Sequence, residues 1–174
     1  MAYTGARYGE TAALTTKDID LENGLVTING TYDRALKIKT TPKTDFSYRT
    51  ITIPENIIKI IESQLELLEL NRSVKGKDFN KNNYIFFSVN GSAIDLDTLN
   101  VVIRRTAEKA KINKHLTSHI FRHSHVALLA ELGIPLSAAM ERVGHTDYKT
   151  TLSIYSHVTK SVKVDIVKKL NELK

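Results

Sequence analysis

Four short stretches of this chain carry side chains suited to chemistry at phosphorus or at a metal. The run His119-Ile120-Phe121-Arg122-His123-Ser124-His125 concentrates imidazoles and a guanidinium. Gly144-His145 follows, and Tyr155 comes ten residues after His145. Far upstream, Arg7 and Glu10 stand three apart. If His119–His125 is helical, His119 shares a face with both Arg122 and His123, three and four residues on. Two chemistries use such parts. His119, His123 or His125 could bind a metal, because i, i+4 histidines suit zinc. A third ligand is then needed, and the sequence offers no adjacent carboxylate or Cys. Alternatively, arginines and imidazoles surround a phosphate. A guanidinium bonds two phosphate oxygens at once, imidazoles move protons, and a tyrosine can attack phosphorus. Taken singly, each residue has an ordinary reading: a structural histidine, a surface arginine, a half-buried aromatic.

The charge pattern is compatible with an anionic partner such as nucleic acid, though a basic balance alone is weak evidence. Twenty-five Lys+Arg against 19 Asp+Glu give +6. The excess sits in two places. Residues 34–49 hold Arg34, Lys37, Lys39, Lys43 and Arg49 against Asp45, and residues 104–122 hold Arg104, Arg105, Lys109, Lys111, Lys114 and Arg122 against Glu108. Lys37, Lys39, Arg49, Arg104 and Arg105 are therefore the expected phosphate contacts, each releasing counterions on binding. Residues 55–69 carry Glu55, Glu62, Glu66 and Glu69 against Lys59, which marks an outward face. The same patterns are also those of ordinary solvated surfaces.

Several functions are excluded or left without support. The chain has no Cys, which removes disulfides, thiolate nucleophiles and thiolate metal sites. Walker, dinucleotide, His-Glu-x-x-His and Gly-x-Ser-x-Gly motifs are absent. No apolar run is long enough to cross a bilayer, and Met1–Gly5 is not a signal peptide, so a cytoplasmic, nucleoid-associated protein is expected, with no membrane partner. At 174 residues and 41% hydrophobic composition, one domain with a real core is expected.

The elements that must position these residues can be read from periodicity. Gly5–Leu14 reads as a short helix. Leu25–Ile28, 36–39 and 48–53 read as strands of one antiparallel three-stranded sheet, with Lys43 near the tip of its second connection. Pro54 opens a helix with an apolar stripe at Ile57, Ile61, Leu65 and Leu68. Residues 73–78 read as a loop and Tyr84–Phe87 as a short buried extended segment. Helices are expected over Asp97–Ala110, Ser118–Leu132 (ending at Gly133) and from Pro135 to about Val143, stopped by Gly144. Thr146 or Asp147 would cap a further helix through Tyr155. Val162, Ile166, Leu170 and Leu173 define a terminal amphipathic helix over 160–174. The expected class is α+β, mainly helical, with a small antiparallel sheet near the N-terminal third.

In their order and spacing, five motifs resemble the tyrosine recombinase family, of the phage-type integrase kind. They are Thr4-Gly5-Ala6-Arg7-Tyr8-Gly9-Glu10, Thr41-Pro42-Lys43-Thr44, His119-Ile120-Phe121-Arg122-His123, Gly144-His145-Thr146 and Tyr155-Ser156-His157-Val158. The resemblance spans nearly the whole chain and implies a catalytic domain that cleaves and rejoins double-stranded DNA through a 3′-phosphotyrosine, without cofactor or metal. It implies that Tyr155 is the nucleophile, that Arg7 and Arg122 hold the scissile phosphate, and that Lys43 is the general acid. His119 would assist proton transfer at the tyrosine, His145 would donate to the phosphate, and Glu10 would orient the first arginine or merely cap or pair nearby. Ile120 departs from the acid that many relatives carry there, and His123 and His125 receive no role. The resemblance further implies that residues 1–174 form a catalytic domain lacking the core-binding and arm-binding domains. A tetramer would form in the full-length synaptic complex, the fragment alone being monomeric, and the terminal helix would dock on a neighbour or fold back. Two rivals remain at this point: a metal-dependent nuclease or phosphoesterase, and a non-catalytic DNA-binding or assembly module of the same fold.

Overall fold

A computed structural model describes residues 1–41, 47–144, 149 and 151–156. The expected features at Lys43, His145, the cap at 146–147 and the terminal helix lie outside the described residues.

The chain begins with α1 (Tyr8–Ala12), followed by a 3-10 turn over Thr16–Asp18. Five strands come next: β1 (Ile19–Asp20), β2 (Leu25–Ile28), β3 (Thr31–Asp33), β4 (Ile38–Thr40) and β5 (Arg49–Thr52). Four longer helices complete the described fold: α2 (Glu55–Lys75), α3 (Leu96–Lys109), α4 (Ser118–Glu131) and α5 (Leu136–Val143). Residues 151–156 are helical.

The three-stranded antiparallel sheet is present, with a membership that corrects the sequence reading. Its order is β1-β2-β5, and β4 does not join it; β4 pairs instead with β3 in a separate ribbon. The chain leaves the first sheet at Asn29-Gly30. A Cβ on Gly30 would lie 2.7 Å from Lys39 Cε and 2.8 Å from Thr40 O, so only glycine lets β4 cross this close. In the turn between β3 and β4, the Asp33 carboxylate accepts from the N–H groups of Ala35 and Leu36, an arrangement typical of Asx turns.

One apolar cluster underlies the sheet: Val26, Ile28, Ile51, Ile53 and Ile85 pack with Ile61 of α2. In β5, residues 49 and 51 point inward and 50 and 52 outward, the period-2 alternation of a sheet covered on one face. The stripe expected on α2 is the one used, with Ile61 and Leu68 buried and Ile57 and Leu65 packed beside them or half-buried. α2 runs to Lys75, into the expected loop, before Gly76 ends it. A second cluster, Val126, Ala130, Ala139, Val143 and Tyr155, joins α4, α5 and the 151–156 segment. Gly144 ends α5 in the left-handed conformation, φ 64°. No helix of the described residues is long and apolar enough to cross a membrane.

Candidate active site

Three arginines converge on one buried carboxylate. Arg7 is the N-cap residue of α1, and Glu10 lies in that helix's first turn. Glu10 Oε2 accepts the Arg7 backbone N–H at 2.8 Å, and Oε1 accepts Arg7 Nη1 at 2.9 Å. Arg49, the first residue of β5, donates from Nη2 to Glu10 Oε2 at 2.9 Å. Arg122 of α4 brings Nη1 to 3.9 Å from that same oxygen. Glu10 is only 5% exposed, so its charge is tolerated because these cations surround it. Burial alone would raise its pKa; the bonds and charges of Arg49 and Arg7 overcome that and lower it.

Arg122 is held as firmly. It is 5% exposed, and its guanidinium donates to Gly5 O at 2.5 Å and Val143 O at 2.7 Å. Burial, with Arg7 and Arg49 nearby, pushes its pKa down to about 9, against the pull of Glu10. Gly5 makes this contact possible. Its φ is +65°, and a Cβ there would lie 2.6 Å from Val143 Cγ1 and 2.8 Å from His125 Cδ2. Arg7, by contrast, keeps 41% of its side chain in solvent. One arginine of the group is thus rooted in the fold and another reaches the surface.

Tyr155 lies on the neighbouring cluster. Its ring packs with Val143, whose carbonyl receives Arg122, and its hydroxyl donates to Ile134 O at 3.1 Å. The residue is 8% exposed, and burial raises the phenol pKa. Ionisation of the phenol is therefore disfavoured in this arrangement.

The remaining predicted residues divide. His119 lies exposed in the first turn of α4, while Arg122 on the same helix is buried. His123 is exposed as well. His125, given no role by the sequence, is buried: its ring nitrogens meet Ala2 O at 2.9 Å and Arg142 Nε at 3.2 Å. Because Arg142 is a donor, Nε2 accepts and Nδ1 carries the proton. Burial, then the Arg142 charge, pushes the His125 pKa down to about 4. Among the described residues, no three His, Asp or Glu side chains converge as a metal site would require. Lys37 is exposed at the β3–β4 turn, and Arg104 and Arg105 are exposed on α3. Lys39 ion-pairs with Asp18 at 2.7 Å, so its ammonium is already engaged.

Arg49 is corrected. The sequence reading offered it to phosphate at the surface; the structure buries it to 8% exposure, with Nε on Arg142 O, Nη1 on Ser47 O and Nη2 on Glu10. Its signal was present in the sequence. Arg49 stands in phase with Ile51 and Ile53, the inward residues of the strand. Arg142 was missed altogether. It joins His125 to the backbone carbonyls of Tyr3 and Thr52, and a lone arginine on a short helix carries no pattern that would have revealed it.

The phage integrase family matches residues 1–161. The "Prophage ps2 probable integrase" of Lactococcus lactis subsp. lactis (strain IL1403) is 39% identical, over 99% of this chain and 47% of that protein. An integrase of a Staphylococcus phage is 36% identical, over 99% of this chain and 50% of its own length. Among solved structures, XerA recombinase superposes with a TM-score of 0.73 at 27% identity, covering 97% of this chain and 53% of that one. XerH site-specific recombinase bound to palindromic difH substrate gives 0.69 at 27% identity, covering 98% of this chain and 43% of that one. The chain spans about half the length of the curated relatives it matches.

Proposed function

The chain belongs to the phage integrase family, and from that premise we propose that it is the catalytic domain of a site-specific DNA recombinase working through a tyrosine–DNA intermediate. The observation that carries this reading is the arginine group around Glu10, set against the cluster that holds Tyr155. In the proposed reaction, the Tyr155 oxygen attacks the scissile phosphorus and the bond to the 5′-oxygen breaks. A 3′-phosphotyrosine forms, and the 5′-oxygen leaves as a hydroxyl with a proton from Lys43. His119 takes up or relays the tyrosine proton, and His145 donates to the phosphate. Rejoining is the reverse, with the bond energy conserved in the phosphotyrosine.

Arg7 and Arg122 suit different non-bridging oxygens of the pentacoordinate phosphorus. Their charge is in place before the reaction, so little reorganisation is needed as negative charge develops. The exposed Lys37, Arg104 and Arg105 are the remaining proposed contacts to the DNA backbone, which fix register rather than read sequence. The tetrameric synaptic assembly belongs to the same proposal.

Tyr155 must leave the Ile134 carbonyl to react, since a hydroxyl donating there in an apolar surround is a poor nucleophile. DNA binding is proposed to supply that displacement. The test is incubation of the intact recombinase with a nicked suicide duplex, with and without chelator. A covalent protein–DNA adduct insensitive to chelator is expected. Cleavage without an adduct, abolished by chelator, would instead establish metal-dependent hydrolysis.

A further inference from the structure

Arg142 is a charged side chain to which the proposed chemistry gives no part. It stands in the last turn of α5, next to Val143, whose carbonyl receives Arg122. A helix leaves its last carbonyls without partners of its own. Here two of them are taken by arginines from other elements: Arg142 O accepts Arg49 Nε at 2.8 Å, and Val143 O accepts Arg122 Nη2 at 2.7 Å. They present the negative end of the helix dipole to two buried cations. The placement of both guanidiniums therefore depends on where this turn is held.

The buried apolar residues of α5, Ala139 and Val143, belong to the cluster on α4, and those of β5 to the cluster beneath the sheet. A groove of about 850 Å³ is lined by both elements, with Thr50 and Thr52 on one wall and Met140 and Glu141 on the other. Two reciprocal bonds cross between them: Arg49 of β5 donates to Arg142 O, and Arg142 Nη2 donates to Thr52 O at 3.0 Å. The same Nη2 donates to Tyr3 O at 3.1 Å, two residues before Gly5, whose carbonyl takes Arg122 Nη1. Arg142 Nε donates to His125 Nε2 at 3.2 Å, on the helix that carries Arg122. One side chain thus ties together the segments that present Gly5 O and Val143 O, the strand beside them and the helix from which Arg122 reaches both.

We infer that Arg142 is a positioning residue: by strapping the last turn of α5 to β5 and to the N-terminal segment, it sets the two carbonyls on which Arg122 is seated. The inference rests on the proposed phosphate role of Arg122. It concerns where that guanidinium lies, so loss of the strap costs rate rather than binding; a misplacement of about 1 Å can cost on the order of 100-fold. A residue that only closes the fold would slow the reaction by a factor independent of the side chain at position 122.

The experiment is single-turnover adduct formation by the intact recombinase on a nicked suicide duplex, at a temperature where melting shows each variant folded, with a Tyr155→Phe control. Arg142→Met keeps a long side chain and removes its donors. Its adduct-forming rate falls about 30-fold while duplex affinity stays within about threefold, as expected when the loss falls on the transition state. Arg142→Lys, whose ammonium can serve Tyr3 O and Thr52 O from one nitrogen as Nη2 does, stays within about fivefold of wild type. The deciding measurement is the cycle with Arg122→Lys, a side chain without the fork that reaches Gly5 O and Val143 O together. In that background Arg142→Met slows the reaction by no more than about threefold, because the seat it disturbs no longer holds a guanidinium.

The inference is overturned if Arg142→Met reacts at the wild-type rate, if its loss is one of duplex affinity alone, or if Arg142→Lys is as slow as Arg142→Met. It is overturned equally if the full loss returns in the Arg122→Lys background, so that the two substitutions multiply. Should melting show Arg142→Met unfolded, Arg142→Gln is carried through the same cycle, and the same comparison decides. Failure of the functional reading looks different, because wild type itself then forms no Tyr155-dependent adduct.

Discussion

The arginine group and the tyrosine cluster share Val143 but are built on opposite terms. Around Glu10, charged groups satisfy one another across elements far apart in sequence, and Arg122 reaches residues 117 and 21 positions away. Around Tyr155, the described partners include apolar side chains and a carbonyl at the turn before α5. The first region holds its charge in place, whereas the second holds the proposed nucleophile against a neutral carbonyl. A net contribution of about 1 kcal/mol is typical of such a bond, an amount that DNA contacts can readily offset. Preformed cations and a nucleophile held by a neutral bond suit the proposed reaction, in which the phosphate is bound before it is cut.

The comparison breaks most visibly at Arg122. Arg122→Ala removes the proposed phosphate clamp and leaves Gly5 O, Val143 O and Glu10 poorly matched in a buried place. Adduct formation should fall at least about 1,000-fold, and denaturant unfolding should show a loss of about 3 kcal/mol. A stable, active Arg122→Ala would show that the charged region is not the phosphate site. Gly5→Ala attacks the same region through packing. A Cβ 2.6 Å from Val143 at a positive φ should cost about 2–3 kcal/mol in urea titration, and cleavage should fall with it. An unchanged midpoint would mean that the contact relaxes at little cost.

The boundary between the regions is sensitive to pH through His125. Its folded pKa, about 4, lies below the ordinary 6.5, so the unfolded chain binds the additional proton between those values. Stability is therefore full above pH 6.5 and falls as pH drops from 6.5 towards 4, by about 3 kcal/mol in total. Glu10, with a lowered pKa, contributes stability above its ordinary 4.5 that is lost as pH falls through its folded value. The interval from 6.5 to 4.5 is therefore where the His125 contribution is lost. Urea midpoints at pH 7, 5.5 and 4.5 check this, and His125→Phe should flatten the curve in that interval. The smallest effect is expected outside both regions. Arg104→Ala/Arg105→Ala should weaken duplex binding several-fold and reduce the slope of log affinity against log salt by about 1.8. An unchanged slope removes these two residues from the proposed contacts.

Much of this was legible in the sequence, and the exceptions have physical causes. The helices and their apolar stripes followed from 3.6-residue periodicity, as at Ile57, Ile61, Leu65 and Leu68 of α2. The membership of the sheet did not, because β4 turns away at Gly30 through a close approach that only the folded backbone reveals. In the site, Arg7, Glu10, Arg122 and Tyr155 were recognisable by motif, and the structure brings the first three into one group. Arg49 was misread because charge density was weighed ahead of strand phase. A positive residue at an inward position signals a buried partner, and Glu10 is that partner. The burial of His125 could also be read in part, since it falls on the inward stripe of α4 with Ser118, Arg122, Val126 and Ala130.

In the proposed reaction, the preformed arginine group serves a covalent tyrosine. It is tested most directly by digesting the adduct formed on a nicked suicide duplex and mapping the attached nucleotide. Attachment through a 3′-phosphate to Tyr155 is expected, with no adduct but retained duplex binding in Tyr155→Phe. Attachment at another residue, or an adduct that persists in Tyr155→Phe, would contradict it.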